Sequence, residues 1–422
     1  MYSNLPREEL LKLKARLEEE YEAFKAKDLK LDMSRGKPGS DQLNLSNDML
    51  KLDLGDFKSE SGFDCRNYGL LDGIDEAKRL FMPLLGTSEL SNIILGGNAS
   101  LQLMYDTIAK AMLFGVSENA EPWKKGVKFL CPAPGYDRHF TILQTFGIEM
   151  ITIKMSADGP DMDEVERLAA ADADIKGIFC VPVYSNPDGF TYSCETVKRL
   201  ATMKTAAPDF RIMWDNAYGV HHLTDTPAAQ ASIIDECKLA GNPDRVYTFA
   251  STSKITFAGG GICAMASSAD NIAFIKKHLS VQTIGFDKLN QLRHAKFFKN
   301  FDGIVSHMEK HRKFLEPKFN IVCDMLEKEL APSSLGEWHK PEGGYFISFN
   351  APCGTAKRII ELCKQAGVVL TGAGAAFPYG VDPDDRNIRL APTFLPEDEL
   401  KNATEVFCAS VKLASAEKIL AN

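Results

Sequence analysis

Lys254 closes the run Ser251-Thr252-Ser253-Lys254, and three glycines follow at 259–261. A primary amine set among hydroxyls, after one apolar run and before a glycine-rich approach to another, is poorly placed to be only a solvated charge. Such an amine can be retuned by its pocket to react with carbonyls. Asp215 ends a second apolar run, in Trp214-Asp215-Asn216-Ala217-Tyr218, where a carboxylate is either a helix cap or a functional acid. Gly96-Gly97-Asn98-Ala99-Ser100 stands before a helical stretch at 101–114. Small residues at a helix N-terminus expose backbone N–H groups to an anion such as phosphate, although the same composition also makes a plain tight turn. In Pro134-Gly135-Tyr136-Asp137-Arg138-His139, Tyr136 offers a ring face to a flat ligand and His139 can support a buried carboxylate. A surface turn with a packed tyrosine is the other reading of that segment. Ser185-Asn186-Pro187-Asp188-Gly189 is a turn by composition, and it draws notice only by following an apolar run.

The elements that must position these groups are strand-length apolar runs at 93–95, 127–131, 150–154, 177–181, 211–214, 246–250 and 262–266, alternating with helical patterns. Their hydrophobicity is continuous, which predicts strands buried on both faces. The fold class expected is α/β: a three-layer α/β/α large domain with a mostly parallel seven-stranded sheet, plus a smaller α+β domain. Loops at the carboxyl ends of such strands form the binding crevice, and the motifs fall in those loops. Ahead of them, residues 4–27 read as a helix with Asn4 able to cap it, Pro6 near the first turn, and Leu10, Leu13 and Leu17 at helical spacing. The loop Asp32-Met33-Ser34-Arg35-Gly36-Lys37-Pro38-Gly39 carries two cations that can face a site. Past Phe297 the pattern changes to a long charged helix at 303–330 and strands at 344–349, 368–371 and 387–391. The division expected is a large domain at 49–299 and a small domain formed by 1–48 with 300–422.

Composition narrows the classes. A formal net charge of −8 and a pI near 5.6 argue against general affinity for nucleic acid or anionic membrane. No apolar run is long enough to span a bilayer, and residues 1–32 form a charged amphipathic stretch rather than a signal peptide, so a cytoplasmic protein is expected. The cysteines lack any C-x-x-C pair and several lie in apolar runs, as Cys131, Cys180 and Cys263 do; reduced core thiols are expected. His221 and His222 are adjacent, which suits neither a helical metal site nor a zinc finger, so no metal is expected.

Taken together, these motifs resemble the fold-type I, class I pyridoxal-phosphate-dependent aminotransferases, in that family's order from Tyr68 to Arg389. The resemblance implies pyridoxal 5'-phosphate held as a Schiff base on Lys254, which then shuttles the substrate proton. It implies that Asp215 pairs with the pyridine nitrogen, that Asn186 and Tyr218 bind the ring hydroxyl, that Tyr136 stacks on the ring and that His139 braces Asp215. Gly97, Asn98, Ala99 and Ser100, with Ser251 and Ser253, would hold the phosphate. Tyr68 looks like the tyrosine lent by a neighbouring subunit, so a homodimer with shared sites is implied. Arg389 matches the arginine that clamps the substrate α-carboxylate, next to Asn186. One departure stands out: the family usually has a phosphate-binding arginine after the lysine, yet Gly259, Gly260 and Gly261 lead here into Ile262 and Cys263.

Within that family the Ser34-Arg35-Gly36-Lys37-Pro38 loop and the run from Ile284 to Arg293 look like aspartate aminotransferase subgroup Ic. Aspartate and 2-oxoglutarate are then the implied substrates. A second carboxylate needs a second cation, for which Arg35, Lys37 and Lys288 are candidates, with Gly36 between the first two. The alternatives are transfer from aromatic amino acids, kynurenine or alanine, and pyridoxal-phosphate lyase or decarboxylase chemistry. A ligand-sensing regulator domain is a further alternative, but it would need a DNA-reading segment that the sequence does not display.

Overall fold

The computed structural model describes residues 2–421. Helix α1 (Arg7–Lys25) begins with Pro6 at the capping position and Glu8 and Glu9 in its first turn, where acids oppose the helix dipole favourably. Asn4, the expected cap, lies instead in a 3-10 turn, Tyr2–Asn4. Proline disfavours helical backbone in the residue before it, so the helix cannot reach back past Pro6. Strand β1 (Leu31–Asp32) and helix α2 (Ser40–Asn44) follow.

The large lobe runs through α3 (Asp75–Leu85), β2 (Ile93–Leu95), α4 (Ser100–Phe114), β3 (Lys128–Ala133), α5 (Asp137–Thr145), β4 (Glu149–Ser156), β5 (Gly159–Pro160), α6 (Met162–Ala171), β6 (Ile175–Cys180), α7 (Cys194–Thr202), β7 (Arg211–Asp215), α8 (Ile233–Leu239), β8 (Val246–Ser251) and β9 (Cys263–Ala266). The strands lie in the order β2-β9-β8-β7-β6-β3-β4-β5. From β8 to β4 every pairing is parallel, while β9 runs antiparallel to both neighbours. All seven expected strands are present. The sheet also has an eighth, β5, antiparallel to β4 at the edge. It is a glycine-proline pair with no apolar run to read, and proline is tolerated at sheet edges.

The continuous hydrophobicity of these strands has a simple cause, because successive side chains point to opposite faces. Phe129, Phe179, Met213 and Phe249 enter one apolar cluster, while Leu130, Ile178, Ile212 and Trp214 enter another across the sheet. Strand order reverses between β6 and β3: the chain winds outward from β3 to β4 in one direction and from β6 through β7 to β8 in the other. In sheets of this kind ligands bind at the carboxyl ends beside that switch point.

The remaining elements are α9 (Ala269–Gln282), α10 (Lys288–Phe298), α11 (Phe301–Glu329), β10 (Ile347–Asn350), α12 (Ala356–Gln365), β11 (Val368–Val369), β12 (Asn387–Leu390) and α13 (Glu397–Ala421). β10 pairs antiparallel with β12, and β11 pairs parallel with β1 from the opposite end of the chain. One apolar core joins Leu10, Leu17 and Tyr21 of α1 to Phe319, Phe349, Ile388 and Phe407. On that ground we propose the two-lobe division at 49 and 300. Helix α11 serves both lobes, since Ile304 and Met308 pack into the large one and Val322 and Leu326 into the small one. The strand expected from residue 344 starts only at Ile347. Gly343 makes only an isolated antiparallel bridge to His222, and Gly344 takes a left-handed φ of +84° against Tyr184, which interrupts the extended backbone before Ile347. Among the described residues no helix is long and apolar enough to cross a membrane.

The turn after β6 presses against the small lobe. Phe190 stacks on His339 with ring centroids 4.3 Å apart, and Asp188 is buried beside the Ser348 hydroxyl. Burial pushes the Asp188 carboxyl up to about 6, with Ser348 opposing the shift. A raised carboxyl pKa makes the fold lose stability as pH climbs from the unfolded value, near 4, through 6. Asp188→Asn should therefore melt at a higher temperature than wild type above pH 7, with the difference shrinking towards zero near pH 4. Differential scanning fluorimetry across that range checks the prediction, and a pH-independent difference would contradict it.

Candidate active site

Loops leaving five of the strands converge on a cavity of about 160 Å³ lined by Ala99, Ser100, Leu101, Met104, Tyr136, Val181, Asn186, Asp215, Ala217, Tyr218, Ser251, Ser253 and Lys254. Asp215 ends β7 and is only 3% exposed. Its Oδ2 lies 3.0 Å from His139 Nε2, and its Oδ1 is buried with no hydrogen-bond partner among the described residues. An ionised carboxylate can only accept, so the imidazole N–H is the donor. His139 is held in turn by stacking on Phe179, centroids 4.3 Å apart and planes 13° from parallel. The tyrosine three residues before it, Tyr136, lines the cavity, and burial pushes its phenol up to about 12.

Lys254 follows β8, its Nζ 4.9 Å from the centre of the Tyr218 ring and 5.9 Å from that of Tyr345. The Tyr218 phenol is raised above its ordinary range, chiefly by burial and also by the Asp215 charge. The cavity rim is laced by short bonds. Ser253 Oγ donates to the Asn98 carbonyl at 2.7 Å, Ser251 and Ser253 hydroxyls lie 3.0 Å apart, and Asn98 Nδ2 donates to the Ala258 carbonyl at 3.2 Å. Asn290 of α10 fixes the glycine turn from behind by donating to the Gly260 and Gly261 carbonyls. Helix α4 starts at Ser100 with its N-terminus at this rim. Gly97 and Asn98 shape the rim without lining the cavity, whereas Ala99 and Ser100 line it. Ile262, at the departure from the family pattern, is buried and donates its backbone N–H to Thr252 Oγ1. Among the described residues, Lys254 is thus the one cation in the lining.

A second cavity, about 490 Å³, adjoins the first and shares Tyr136, Asn186, Tyr218 and Lys254 with it. Its other walls include Ser34, Arg35, Gly36, Lys37, Asp137, Arg138, Phe346, Thr371 and Arg389. Arg389 projects from β12: Nη1 donates to Asp137 Oδ1 at 3.0 Å and to Asn186 Oδ1 at 3.2 Å, and Nη2 donates to Thr371 Oγ1 at 3.3 Å. The guanidinium lies over the Phe346 ring at 4.8 Å. Gly36 rests on the same ring so closely that a Cβ would come within 2.6 Å of it, which is why a glycine stands there. Lys37 is engaged by Asp32 at 3.6 Å and by the face of Phe394, while Arg35 and Arg138 make no ion pair among the described residues.

Two candidates fall elsewhere. Lys288 lines neither cavity; its Nζ is tucked under the preceding turn and donates to the Phe286 carbonyl at 3.2 Å, and burial lowers its pKa. Tyr68 is 79% exposed and outside both cavities of its own chain. Asp137, Arg138, Thr371 and Phe346 also wall the second cavity, beyond the residues singled out from the sequence. The first two were visible inside the Tyr136-to-His139 motif, on the opening turn of α5, but Thr371 and Phe346 are brought in only by the packing of the small lobe.

Behind Lys254 lies a buried polar layer. Tyr345 OH donates to the Lys254 carbonyl at 3.4 Å, and Gln42 Nε2 reaches both Tyr345 OH at 3.0 Å and His311 Nδ1 at 3.1 Å. Burial pushes His311 down to about 3 and His221 well below its ordinary range. Neutral imidazoles leave Lys254 with no cationic neighbour in that layer.

The residues fit pyridoxal phosphate on a specific point. The bare Oδ1 of Asp215 is a buried acceptor in want of a charged N–H, and it shares its cavity with a primary amine, an aromatic face and a hydroxyl-lined helix N-terminus. Residues 5–422 match the family described as aspartate amino-transferase. An aspartate aminotransferase of Corynebacterium glutamicum is 45% identical over 404 residues, covering 95% of this chain and 93% of that one. The crystal structure of an aspartate transaminase from the same organism superposes with a TM-score of 0.96 at 43% identity, covering 99% of each chain. An α-aminoadipate aminotransferase of Thermus thermophilus, solved with N-(5'-phosphopyridoxyl)-L-leucine, has a TM-score of 0.74 at 17% identity over 92% of this chain and 93% of that one, a likeness of fold. With its sheet, its lysine and its aspartate so arranged, the chain belongs to the aspartate aminotransferase family.

Proposed function

We propose that this enzyme binds pyridoxal phosphate through Lys254 and moves an amino group between aspartate and 2-oxoglutarate. The observation that carries the reading is the unpartnered Asp215 Oδ1 in the same cavity as the lysine. Bound there, the cofactor would supply a cationic ring that accepts electron density as the substrate carbon loses its proton. Asp215 would keep the ring nitrogen protonated, with His139 holding its other oxygen. Asn186 and Tyr218 would bind the ring hydroxyl and Tyr136 would cover one face. The phosphate would rest on Ala99, Ser100, Ser251, Ser253 and the amino end of α4, with Gly97 and Asn98 shaping the rim. A cage of hydroxyls and N–H groups would then take over from the arginine usual in the family.

Lys254 lines both cavities, so once free its amine can carry the proton to and from the substrate carbon. Arg389 would grip the α-carboxylate, with Asn186 beside it. The unpaired guanidinium groups of Arg35 and Arg138 on the same cavity support a dicarboxylic substrate. Ten free thiols, eight of them buried, support a reducing compartment, the cytoplasm. A homodimer completes the reading, with the exposed Tyr68 of one protomer serving the site of its partner.

Adding aspartate to the purified, cofactor-loaded enzyme should shift its visible absorbance and yield the 2-oxo acid. With 2-oxoglutarate as acceptor, kcat/KM for aspartate should exceed that for alanine, phenylalanine or kynurenine by about a hundredfold. Lys254→Ala should lose at least about a thousandfold in kcat. Release of ammonia or carbon dioxide without a new amino acid would contradict the transferase reading. For the shared site, Lys254→Ala and Tyr68→Ala subunits, each nearly inactive alone, should form hybrid dimers with about half of wild-type activity, because one of the two sites is then intact. Hybrids no more active than their parents would contradict the contribution of Tyr68 across the interface.

A further inference from the structure

Arg389 does not stand open for substrate. Its side chain is only 8% exposed, and a guanidinium so buried needs an anion close by. The ion pair that supplies one is with Asp137, at 3.0 Å from Nη1. Asn186 and Thr371 are neutral partners at longer distances, and Nε is buried without an acceptor. We propose that Asp137 is an internal stand-in for the substrate carboxylate: it occupies Arg389 when the site is empty and yields it when the α-carboxylate of a substrate arrives. The proposal rests on the reading of Arg389 as the carboxylate clamp.

The local structure suits an exchange. Asp137 is the first residue of α5, and its side chain is 32% exposed, so its carboxylate can turn to water. At the amino end of a helix a charged carboxylate remains favoured even when unpaired. Its neighbours do not have to follow, because His139, two residues on, is fixed by Asp215 and by stacking on Phe179. Asp137 meets the guanidinium through Nη1 alone, whereas an incoming carboxylate can span Nη1 and Nη2, and bidentate pairing is the stronger. Two carboxylates cannot share Nη1 without strong repulsion, so the exchange is all or none. Asp137 and Arg389 line the same cavity, one from the large lobe and one from the small-lobe strand β12, so their ion pair also ties the lobes together. The consequence for the enzyme is an arginine kept paired and shielded from stray inorganic anions, with weaker substrate binding as the cost.

The test compares wild type, Asp137→Asn and Asp137→Glu as loaded enzymes, with succinate, an unreactive dicarboxylate, titrated by calorimetry alongside steady-state rates. Asp137→Asn should bind succinate about tenfold more tightly. It should lower KM for aspartate and for 2-oxoglutarate by a similar factor without raising kcat, and Asp137→Glu, which keeps the charge, should stay closer to wild type. Succinate affinity that is unchanged, weaker or absent in Asp137→Asn overturns the proposal, as does a change confined to kcat. Tighter succinate binding in a protein that fails to transaminate aspartate would leave the exchange standing and remove the substrate assignment, so the two failures are distinguishable.

Discussion

Asp215 is buried at the end of a central strand, with one oxygen on the His139 imidazole and the other facing the cavity without a partner. A half-satisfied carboxylate is costly in a protein interior, and interiors rarely keep one without a use for it. The rest of the site is arranged around that vacant acceptor. Phe179 holds the imidazole flat, Tyr136 and Tyr218 line the adjoining space, and Lys254 Nζ lies over the rings of Tyr218 and Tyr345. A cationic ring nitrogen at Oδ1 would complete the pairing and turn an unfavourable burial into a binding site.

Charge is distributed along the crevice with the same economy. The inner cavity holds one cation, Lys254, and one carboxylate, while the outer one adds Arg35, Lys37, Arg138 and Arg389 to Lys254 against Asp137. That gradient suits a substrate with two carboxylates whose reacting carbon must lie at the inner end. The histidines behind Lys254 are kept neutral by burial, so they add hydrogen-bonding shape without adding repulsion. Arg389, Thr371 and Phe346 come from the small lobe, whose core includes α1 from the far end of the chain. Positioning the carboxylate clamp therefore depends on packing between segments more than 300 residues apart.

Much of the large lobe was legible in the amino-acid sequence because strands buried on both faces write an unbroken apolar run, and each such run proved to be a strand. Residues fixed by the backbone next to those strands were legible for the same reason: Asn186, Asp215 and Lys254 each follow or end one. The misses have physical causes. Proline at position 6 cut the first helix short of Asn4, and Gly344, at a left-handed φ against Tyr184, interrupts the expected strand. Lys288 has the right charge, but the direction of a long side chain is set by packing, and here it turns to a carbonyl of its own turn. The bond from Arg389 to Asp137 spans 252 residues of sequence, and nothing local to either residue announces it.

The central claim is that Asp215 keeps a ring nitrogen protonated. Loading the enzyme with pyridoxal phosphate labelled with nitrogen-15 in the ring, and recording the nitrogen spectrum of wild type and Asp215→Ala at pH 8, tests it directly. The account predicts a protonated nitrogen in wild type and an unprotonated one in the variant. An unprotonated nitrogen in wild type, or identical spectra from the two proteins, would contradict it.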